Sequence, residues 1–289
     1  TIVSCLNAVI KNNLKPVFID VDKNDYNICI KDLKKKMNKS IKALIMVHTY
    51  GLASNIREIL KLKKKYKFMI IEDCAEGIGL RYKKKFLGNY GDLSTFSFYS
   101  NKLITTGEGG CILTNKSVLH TRCKSLRNLS FGKKNRFNHD DIGWNYRYTN
   151  MQAALGLSQL KRIKKIVKKK REIGNYYYNK FKNNKKIMVQ PPILNKEKNI
   201  YWVFGILIKD KKYSKDIIVK QLLKKGIQCR DFFWPMNKQK IFIKQKIFKK
   251  NKYPISNLLS KNGFYIPTGI DITNKQMSYI VKIINSIFK

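Results

Sequence analysis

The sequence predicts an α/β protein with a mainly parallel sheet, because short apolar runs alternate with amphipathic stretches. Three runs have the length and character of buried strands: PVFIDVD (16–22), KALIMVH (42–48) and FMIIED (68–73). The segments from Ile30 to Met37 and from Asn55 to Tyr66 separate them and are helical in character. Strands that alternate with helices are typical of βαβ units, in which parallel strands form one sheet.

The pattern continues with strands expected over Leu93 to Tyr99 and Gly110 to Thr114, and a helix from Val118 to Leu129. A single long helix is expected from Asn150 onward, through QAALGLSQLKRIKKIVKKKREIGNYYYNKF. Its apolar residues predict one buried face, and its lysine-rich stretch KRIKKIVKKKR (161–171) predicts a solvated face. The apolar positions are Leu155, Leu157, Leu160, Ile163 and Ile166.

A second, smaller domain is predicted after Pro191-Pro192, where strands and helices become shorter. YWVFGILIK is strand-like, IIVKQLLKKG is helical with a glycine stop, and IQCRDFFWPM is extended. The sequence therefore predicts a large domain over residues 1–183, which ends in the long helix, and a small α+β domain over residues 184–289.

Composition limits the classes of protein to which the chain can belong. The 289 residues are 43% hydrophobic, which is enough for a packed core and argues against disorder. No run is long enough to span a membrane and no secretory signal is evident. The six cysteines are scattered without metal-ligand spacing, which favours reduced, buried thiols, no metal site and a cytoplasmic location.

The net charge of +43 would attract phosphate polymers without regard to their sequence. The lysines that produce it are spread over the whole chain, and no known nucleic-acid-binding motif is present. We therefore interpret the charge as a property of exposed positions and expect no specific nucleic-acid partner. A basic nucleic-acid-binding protein stays an alternative.

The candidate site is predicted from a carboxylate and a lysine in unusual surroundings. Asp73 follows a buried strand, and ligands of open α/β sheets bind at the carboxyl ends of strands. A carboxylate there can keep the pyridine nitrogen of a cofactor protonated. Lys102 lies between the aromatic segment SFYSN and the glycine-rich TTGEGG, where desolvation can lower its pKa for Schiff-base chemistry. Ser97 can donate its hydroxyl to a phosphate. A helix cap and a surface lysine are the alternative interpretations of Asp73 and Lys102.

Three segments, IIEDCAEGIG, GDLSTFSFYSNKLITTGEGG and IGWNYRYTNMQAALGLSQL, resemble in order the signatures of the DegT/DnrJ/EryC1/StrS family of sugar aminotransferases. The resemblance covers essentially the whole chain. It implies the aspartate aminotransferase type of fold (fold type I) and pyridoxal phosphate as cofactor. Within the family, the chain is most similar to the perosamine synthase branch, which aminates C4 of a nucleotide-linked 4-keto-6-deoxy sugar.

The resemblance also implies roles for single residues. Lys102 would form the Schiff base and move the proton, Asp73 would pair with the pyridine nitrogen, and Glu76 would lie beside the ring. Ser97 matches the phosphate-binding serine, and Asn145 the asparagine given by a second subunit. Relatives that remove a sugar hydroxyl carry histidine in place of Lys102, so lysine favours transamination.

Weaker expectations concern the substrate and the cofactor face. Arg147 would contact phosphate or sugar groups, with a structural ion pair as the alternative. Phe233 of DFFWPM and the segment GFYIPTG (263–269) would border the sugar, with small-domain core as the alternative, and Tyr99 is a further weak candidate for substrate binding. His48 would line the pocket or be satisfied within a loop. Ile2 occupies the position where many relatives place an aromatic ring on the cofactor, and isoleucine stacks less well.

The resemblance begins in the middle of the family's large domain, without the helix-start turn that holds the cofactor phosphate. We interpret the sequence as a fragment; a second chain that supplies this part, or a catalytically silent relative, are the alternatives. The expected reaction transfers an amino group, usually from glutamate, to a nucleotide-linked keto sugar for surface polysaccharide (O-antigen) synthesis. GDP-4-keto-6-deoxymannose is the first candidate, a UDP- or dTDP-linked sugar is the second, and a homodimer with shared sites is expected.

Overall fold

The computed structural model describes residues 1–132, 134, 135, 137–194, 196–247 and 252–289. The helices are α1 (Ser4–Lys11), α2 (Ile30–Lys36), α3 (Ile56–Tyr66), α4 (Ser117–Leu126), α5 (Asn150–Leu160), α6 (Ile163–Phe181), α7 (Lys215–Lys224), α8 (Lys240–Lys244), α9 (Pro254–Asn262) and α10 (Asn274–Ile287). The strands are β1 (Ala43–Val47), β2 (Met69–Asp73), β3 (Arg81–Tyr82), β4 (Lys85–Phe86), β5 (Leu93–Ser97), β6 (Gly110–Leu113), β7 (Ile187–Val189), β8 (Ile193–Leu194), β9 (Glu197–Lys198), β10 (Phe204–Ile208), β11 (Arg230–Asp231) and β12 (Gly263–Ile266).

The first sheet has the order β1-β2-β5-β6, with three parallel strands and an antiparallel edge strand β6. Val47 lies opposite Asp73, and Asp73 lies opposite Thr95, so the carboxyl ends of the three parallel strands meet at one edge. Asn55 caps α3, which connects β1 to β2, by accepting the amide of Glu58. The parallel sheet and its helices confirm the predicted α/β class. The residues that follow the three parallel strands lie together at one edge of the sheet.

The expected strand over residues 16–22 is wrong. Val21 makes a single bridge to Ile28 across a turn, and none of the described strands forms a ladder with this segment. Apolar alternation produces a strand only where another strand offers hydrogen bonds. Buried Asp20 instead accepts the amides of Ile255 at 3.0 Å and Ser256 at 2.9 Å, and so joins this segment to the start of α9.

The second sheet is antiparallel and has the order β11-β12-β10-β7. Strand β10 is buried along its whole length, and α6, α7 and α10 contribute to the hydrophobic core beside it. Residues of this half also enter the core of the first sheet, among them Ile200, Trp202 and Phe232. The two halves are therefore packed together, and the domain boundary at residues 183 and 184 stays a prediction.

The expected single helix from Asn150 is two helices, α5 and α6, separated at Lys161 and Arg162. Arg162 leaves the helical region, with φ −99° and ψ 3°. The expectation of one buried face also fails in part, since Leu155, Leu157 and Leu160 are about half exposed whereas Ile166 is buried. The break separates the two segments: α6 packs on the core, and α5 presents apolar side chains outward.

No helix in the described part of the chain is long and apolar enough to cross a membrane. The six cysteines are free, as expected, but only Cys74 is buried, whereas the other five are partly exposed. The cytoplasmic location stays a prediction.

Candidate active site

Lys102 lies in the loop between β5 and β6, on the carboxyl side of the first sheet. Its amide donates to the carbonyl of Tyr99 at 3.0 Å, and its Nζ is 4.4 Å from the centre of the Trp202 ring. Burial lowers the pKa of Lys102, while the charges of Glu76 and Asp73 act in the opposite direction. The side chain is therefore a partly desolvated amine under the influence of two carboxylates, and the desolvation favours the free amine that nucleophilic lysine chemistry requires.

Asp73 ends strand β2, where the sequence predicted a carboxylate that faces a site. Its Oδ1 accepts the amide of Ala75 at 3.0 Å, and its Oδ2 accepts the thiol of Cys5 at 3.1 Å. Burial raises the pKa of Cys5 to about 12, and the charge of Asp73 adds to this effect, so the thiol keeps its proton and donates it to the carboxylate. Asp73 is thus fixed from two sides.

Glu76 is buried three residues after Asp73. Its Oε2 accepts the amide of Tyr50 at 2.7 Å. Burial raises the pKa of Glu76 to about 7, although the Tyr50 amide and the charge of Lys102 favour the ionised form. A carboxyl with this pKa can hold or release a proton near neutral pH, next to Lys102.

His48 is satisfied within the protein, which was one of the two expectations from the sequence, and it is not among the described lining residues of the cavity beside Lys102. Its side chain is fully buried; Nδ1 accepts the amide of Ser54 at 3.1 Å, so Nε2 carries the proton that it shares with Glu72 at 3.1 Å. Both ring nitrogens are therefore occupied by the protein.

Glu72 is held at the sheet edge by this histidine and by a loop. Its oxygens also accept the amides of Gly88, Tyr90 and Gly91. Burial opposes its charge, but the bonds from His48 and these amides outweigh that effect, and the pKa of Glu72 is lowered. The Sγ of Cys74 lies within 4.8 Å of a ring nitrogen of His48 and a carboxylate oxygen of Glu72. Burial raises the pKa of the Cys74 thiol. The cluster is hydrogen-bonded within itself and supports the strand end that carries Asp73.

Ser97 and Tyr99 lie on the strand and loop that lead to Lys102. Ser97 ends β5, and its Oγ accepts the Tyr99 amide at 3.4 Å. The Tyr99 side chain is exposed. Both residues lie close to Lys102 along the chain, and their roles stay predictions.

Asn145, Arg147 and Ile2 are exposed. The Nε of Arg147 donates to Oδ1 of Asn145 at 3.0 Å. Among the described residues, no hydrogen bond joins these three to Lys102, Asp73 or Glu76. Exposure of Asn145 is compatible with a role toward a second subunit, which stays a prediction.

Phe233 contacts Tyr50, and Tyr50 in turn binds Glu76. The sequence did not indicate Tyr50 as a residue of the site. The two rings stack with centroids 5.3 Å apart, and the Phe233 amide donates to the phenol oxygen of Tyr50 at 3.0 Å. Tyr50 and Gly51 both have positive φ, 58° and 103°. A bulky residue in this conformation is an outlier that the surroundings must hold in place. The Tyr-Gly pair after β1 was the available signal.

Trp202 and Cys5 were also missed from the sequence. The indole Nε1 of Trp202 donates to the carbonyl of Asn101 at 3.1 Å and so fixes the residue before Lys102. Trp202 belongs to a strand-like run, and Cys5 is one of six scattered cysteines, so neither had a local signal of function.

A cavity of about 550 Å³ opens beside Lys102. Lys102, Lys170 and Arg230 line it together with amides and hydroxyls, and no carboxylate is among the described lining residues. Lys170 is buried and donates to the carbonyls of Trp202 and Thr268 at 3.0 and 2.8 Å. The volume is within the usual range for small-molecule sites. Burial lowers the pKa of Lys170 to about 7, so the Arg230 guanidinium is the lining group that is charged throughout the neutral range and suits an anionic ligand.

Comparison with known proteins supports one family. The sequence profile of the DegT/DnrJ/EryC1/StrS aminotransferase family matches residues 1–285. GDP-perosamine synthase of Escherichia coli O157:H7 is 34% identical over 289 residues, which are 100% of this chain and 77% of that protein. UDP-4-amino-4,6-dideoxy-N-acetyl-beta-L-altrosamine transaminase of Helicobacter pylori is 33% identical over 91% of this chain and 68% of that protein.

Two solved structures extend the comparison to the fold. Helicobacter pylori PseC, an aminotransferase involved in the biosynthesis of pseudaminic acid, superposes with a TM-score of 0.93 at 28% identity over 100% of this chain and 77% of its own. E. coli GDP-4-keto-6-deoxy-D-mannose-3-dehydratase with bound hydrated PLP superposes with a TM-score of 0.85 at 26% identity over 94% of this chain and 75% of its own.

Proposed function

Because the chain belongs to the DegT/DnrJ/EryC1/StrS aminotransferase family, we propose that it moves an amino group from an amino acid to a nucleotide-linked 4-keto-6-deoxy sugar. Glutamate is the proposed donor and GDP-4-keto-6-deoxymannose the first acceptor. The observation that carries the proposal is Lys102, a partly buried amine beside Asp73 and Glu76 with a lowered pKa. The product would serve surface polysaccharide synthesis.

Pyridoxal phosphate is the cofactor of this family, and the residues at the sheet edge fit it. An electron sink of this kind needs a carboxylate for its ring nitrogen and an amine for its carbonyl, and Asp73 and Lys102 have these chemistries. We assign Asp73 to the ring nitrogen, Ser97 to the phosphate, Ile2 to the ring face and Glu76 to the ring edge. When bound, the cofactor supplies the stabilisation of negative charge at the carbon that exchanges the amino group.

The chain's own residues supply the proton transfer. Desolvation increases the fraction of Lys102 that is a free amine, so its Nζ can accept a proton and return it. Glu76 exchanges a proton near neutral pH and lies close enough to influence the charge of Lys102. Trp202 and Asn101 hold the backbone of Lys102 in place, which keeps Nζ at the sheet edge.

The cavity beside Lys102 supports a phosphorylated acceptor. Nucleotide sugars carry two phosphates, and the lining has cationic groups and hydrogen-bond donors without a described carboxylate. The Arg230 guanidinium has no hydrogen bond or ion pair to a described residue, so we assign it to the anionic part of a substrate.

A homodimer is proposed from the apolar surface that the single chain leaves exposed. The members are Ile142, Trp144, Tyr146, Met151, Leu155, Leu157 and Leu160. Exposed apolar side chains in this number are typical of an interface, and exposed Asn145 lies between Trp144 and Tyr146 in the same segment of the chain. The arrangement is compatible with a site completed by a second copy.

The dimer is tested by light scattering after size-exclusion chromatography. Met151→Glu should shift the protein toward monomer and reduce turnover, because a charge would be buried in the interface. Leu223→Glu is the matched control, since Leu223 is exposed on α7 outside this surface. A wild-type monomer that turns over would contradict the proposal.

The acceptor is tested by incubation of the protein with pyridoxal phosphate, glutamate and each of three 4-keto-6-deoxy sugars linked to GDP, UDP or dTDP. We expect an amino sugar from the GDP-linked compound, detected by mass spectrometry, and none with Lys102→Ala. A UDP-linked sugar is the second candidate, since the H. pylori transaminase is also similar. Absence of product from all three would favour a catalytically silent relative.

A further inference from the structure

Lys170 of α6 is a buried lysine without a partner of opposite charge. It is 6% exposed, and none of the ion pairs in the described part of the chain includes it. Burial lowers the pKa of Lys170 to about 7. Burying a charge without a counterion is costly, so an apolar side chain of similar volume would be the more stable choice unless the lysine holds other groups in place.

The hydrogen-bond donors of Lys170 are all used within the protein. Its Nζ donates to the carbonyl of Trp202 at 3.0 Å, to the carbonyl of Thr268 at 2.8 Å and to the Oγ1 of Thr268 at 2.9 Å. An ammonium has three donors, and the neutral amine still has two, one for each carbonyl. Lys170 therefore has no donor left for a ligand in the cavity that it lines, and it acts on the site through the residues that it holds.

The two carbonyls belong to segments that are distant in the chain and meet at Lys170. Trp202 precedes β10, and Thr268 follows β12, two neighbouring strands of the second sheet. Both residues line the cavity beside Lys102. No other group in the described part of the chain donates a hydrogen bond to either carbonyl. Lys170 thus connects α6 to both segments of this cavity wall.

The Trp202 segment needs such support because it follows a strained turn. Tyr201 has φ 49°, which bulky residues seldom adopt unless their surroundings hold them. Helix α6 contacts this turn at Gly174, which lies one helical turn after Lys170 on the same face. A methyl carbon at Gly174 would lie 2.0 Å from the Tyr201 ring. The same face of α6 therefore fixes the turn by close packing at Gly174 and by hydrogen bonding at Lys170.

Trp202 extends this support to the candidate active site. Its indole donates to the carbonyl of Asn101 at 3.1 Å, and its ring centre lies 4.4 Å from the Nζ of Lys102. Burial lowers the pKa of Lys102, and the charges of Glu76 and Asp73 raise it. The attraction between an ammonium and a ring face also favours the charged form, but it is the weaker effect, because the pKa is lowered. Displacement of the Trp202 ring would hydrate the amine and favour its charged form.

We propose that Lys170 is a positioning residue, which holds Trp202 and Thr268 together and so keeps the Trp202 ring against Lys102. The inference rests on the proposed function, in which Lys102 is the reactive amine, and adds a residue that does not touch the reacting atoms. A lysine that only stabilised the fold would affect unfolding and leave the chemistry of Lys102 unchanged.

The test is the pH dependence of acetylation of Lys102 by acetic anhydride in the cofactor-free full chain, measured by mass spectrometry against a reference amine. Only the free amine reacts, so the midpoint reports the pKa of Lys102, whereas the plateau also depends on exposure. Lys170→Met should raise the midpoint by about one pH unit, which is about tenfold less free amine at neutral pH. Lys170→Arg keeps donors for both carbonyls and should restore most of the shift.

Lys215→Met is the matched control. The Lys215 side chain is 9% exposed, and its Nζ binds the carbonyl of Ser260 at 3.3 Å and the carboxylate of Asp231 at 3.0 Å. This variant should lower the urea concentration of unfolding and leave the Lys102 midpoint unchanged. If Lys170→Met does not fold, Lys170→Ala, which leaves space for water at the two carbonyls, should raise the midpoint in its place.

Three results would overturn the proposal. They are a midpoint that does not rise when Lys170 is replaced, an equal rise in Lys215→Met, and a rise that Lys170→Arg leaves in place.

Failure of the proposed function has a different signature. Acetylation needs no cofactor, and conversion of the cofactor by glutamate is measured separately on the loaded wild type. A raised midpoint in Lys170→Met without glutamate conversion in wild type overturns the aminotransferase proposal and leaves the positioning role standing. Glutamate conversion in wild type with an unchanged midpoint in Lys170→Met overturns only the positioning role.

Discussion

Glu76 should make the unliganded protein less stable as the pH rises through the neutral range. Below about pH 4.5 the carboxyl is protonated in both the folded and the unfolded chain. Between there and about pH 7 the unfolded chain releases the proton while the folded chain keeps it, so unfolding is favoured. Above about pH 7 the Glu76 carboxyl is ionised in both the folded and the unfolded chain, and the loss of stability is complete.

The size of this effect follows from the raised pKa. A rise from 4.5 to about 7 corresponds to about 3 kcal/mol of unfolding free energy, at about 1.4 kcal/mol for each pH unit. Glu76→Gln keeps an oxygen for the Tyr50 amide and cannot ionise. The free energy of unfolding of wild type, minus that of this variant, should therefore fall by about 3 kcal/mol between about pH 4.5 and pH 8.

Urea unfolding at several pH values, followed by tryptophan fluorescence, measures the difference directly. Groups that do not interact with Glu76 titrate equally in both proteins and cancel in the comparison, and Lys102, whose pKa the charge of Glu76 raises, belongs to the effect that is measured. Glu108→Gln removes an exposed carboxylate and controls for the change in net charge. If the profiles of wild type and Glu76→Gln run parallel across this range, the carboxyl is not desolvated as the structure indicates.

Two further predictions concern the packing around Lys102 and the second sheet. Trp202→Phe leaves the carbonyl before Lys102 without its indole donor, and should cost about 1 kcal/mol in urea unfolding, whereas Trp234→Phe, on the exposed surface, should cost less. Equal effects would show that the Trp202 bond is not formed. Gly174→Ala should destabilise by at least about 1–3 kcal/mol, because the new methyl carbon would lie 2.0 Å from the Tyr201 ring, whereas Gly269→Ala meets nothing within 4 Å and should be near neutral. A folded, fully stable Gly174→Ala would contradict the described contact between α6 and Tyr201.

Local patterns predicted much of the first sheet because its strands and helices have strong and separate signals. The runs 42–48 and 68–73 became β1 and β2, and Asp73 ends its strand as expected. The run 16–22 has the same apolar character, yet it lacks a neighbouring strand and is held by Asp20 at the start of α9. A strand forms only beside a neighbouring strand, and the local sequence pattern does not show whether such a neighbour is present.

The site was predictable where a residue's role depends on its own segment. Lys102 lies beside an aromatic stretch in the sequence, and the structure places it beside Trp202, a hundred residues away. Tyr50 gains its importance from contacts with Glu76 and Phe233, which only the fold brings together. The sequence left His48 open between a pocket residue and a histidine satisfied within the protein, and the structure pairs it with buried Glu72.

Helix α5 shows a related limit. Its apolar residues predicted burial, and the single chain leaves several of them exposed. A pattern of apolar residues predicts that a surface is buried. It does not indicate whether the same chain or a second copy of the chain covers that surface. The homodimer proposal follows from this difference between pattern and exposure.

We propose that Lys102 is the amine that binds pyridoxal phosphate and moves the proton while the amino group passes from the donor to the acceptor. The most direct measurement is the visible absorbance of the protein with added pyridoxal phosphate and then glutamate, for wild type, Lys102→Ala and the control Lys168→Ala, which changes an exposed lysine. We expect a band that survives gel filtration and is bleached by glutamate in wild type and Lys168→Ala, and no such band in Lys102→Ala. A stable, glutamate-sensitive band in Lys102→Ala, or none in wild type, would contradict the claim.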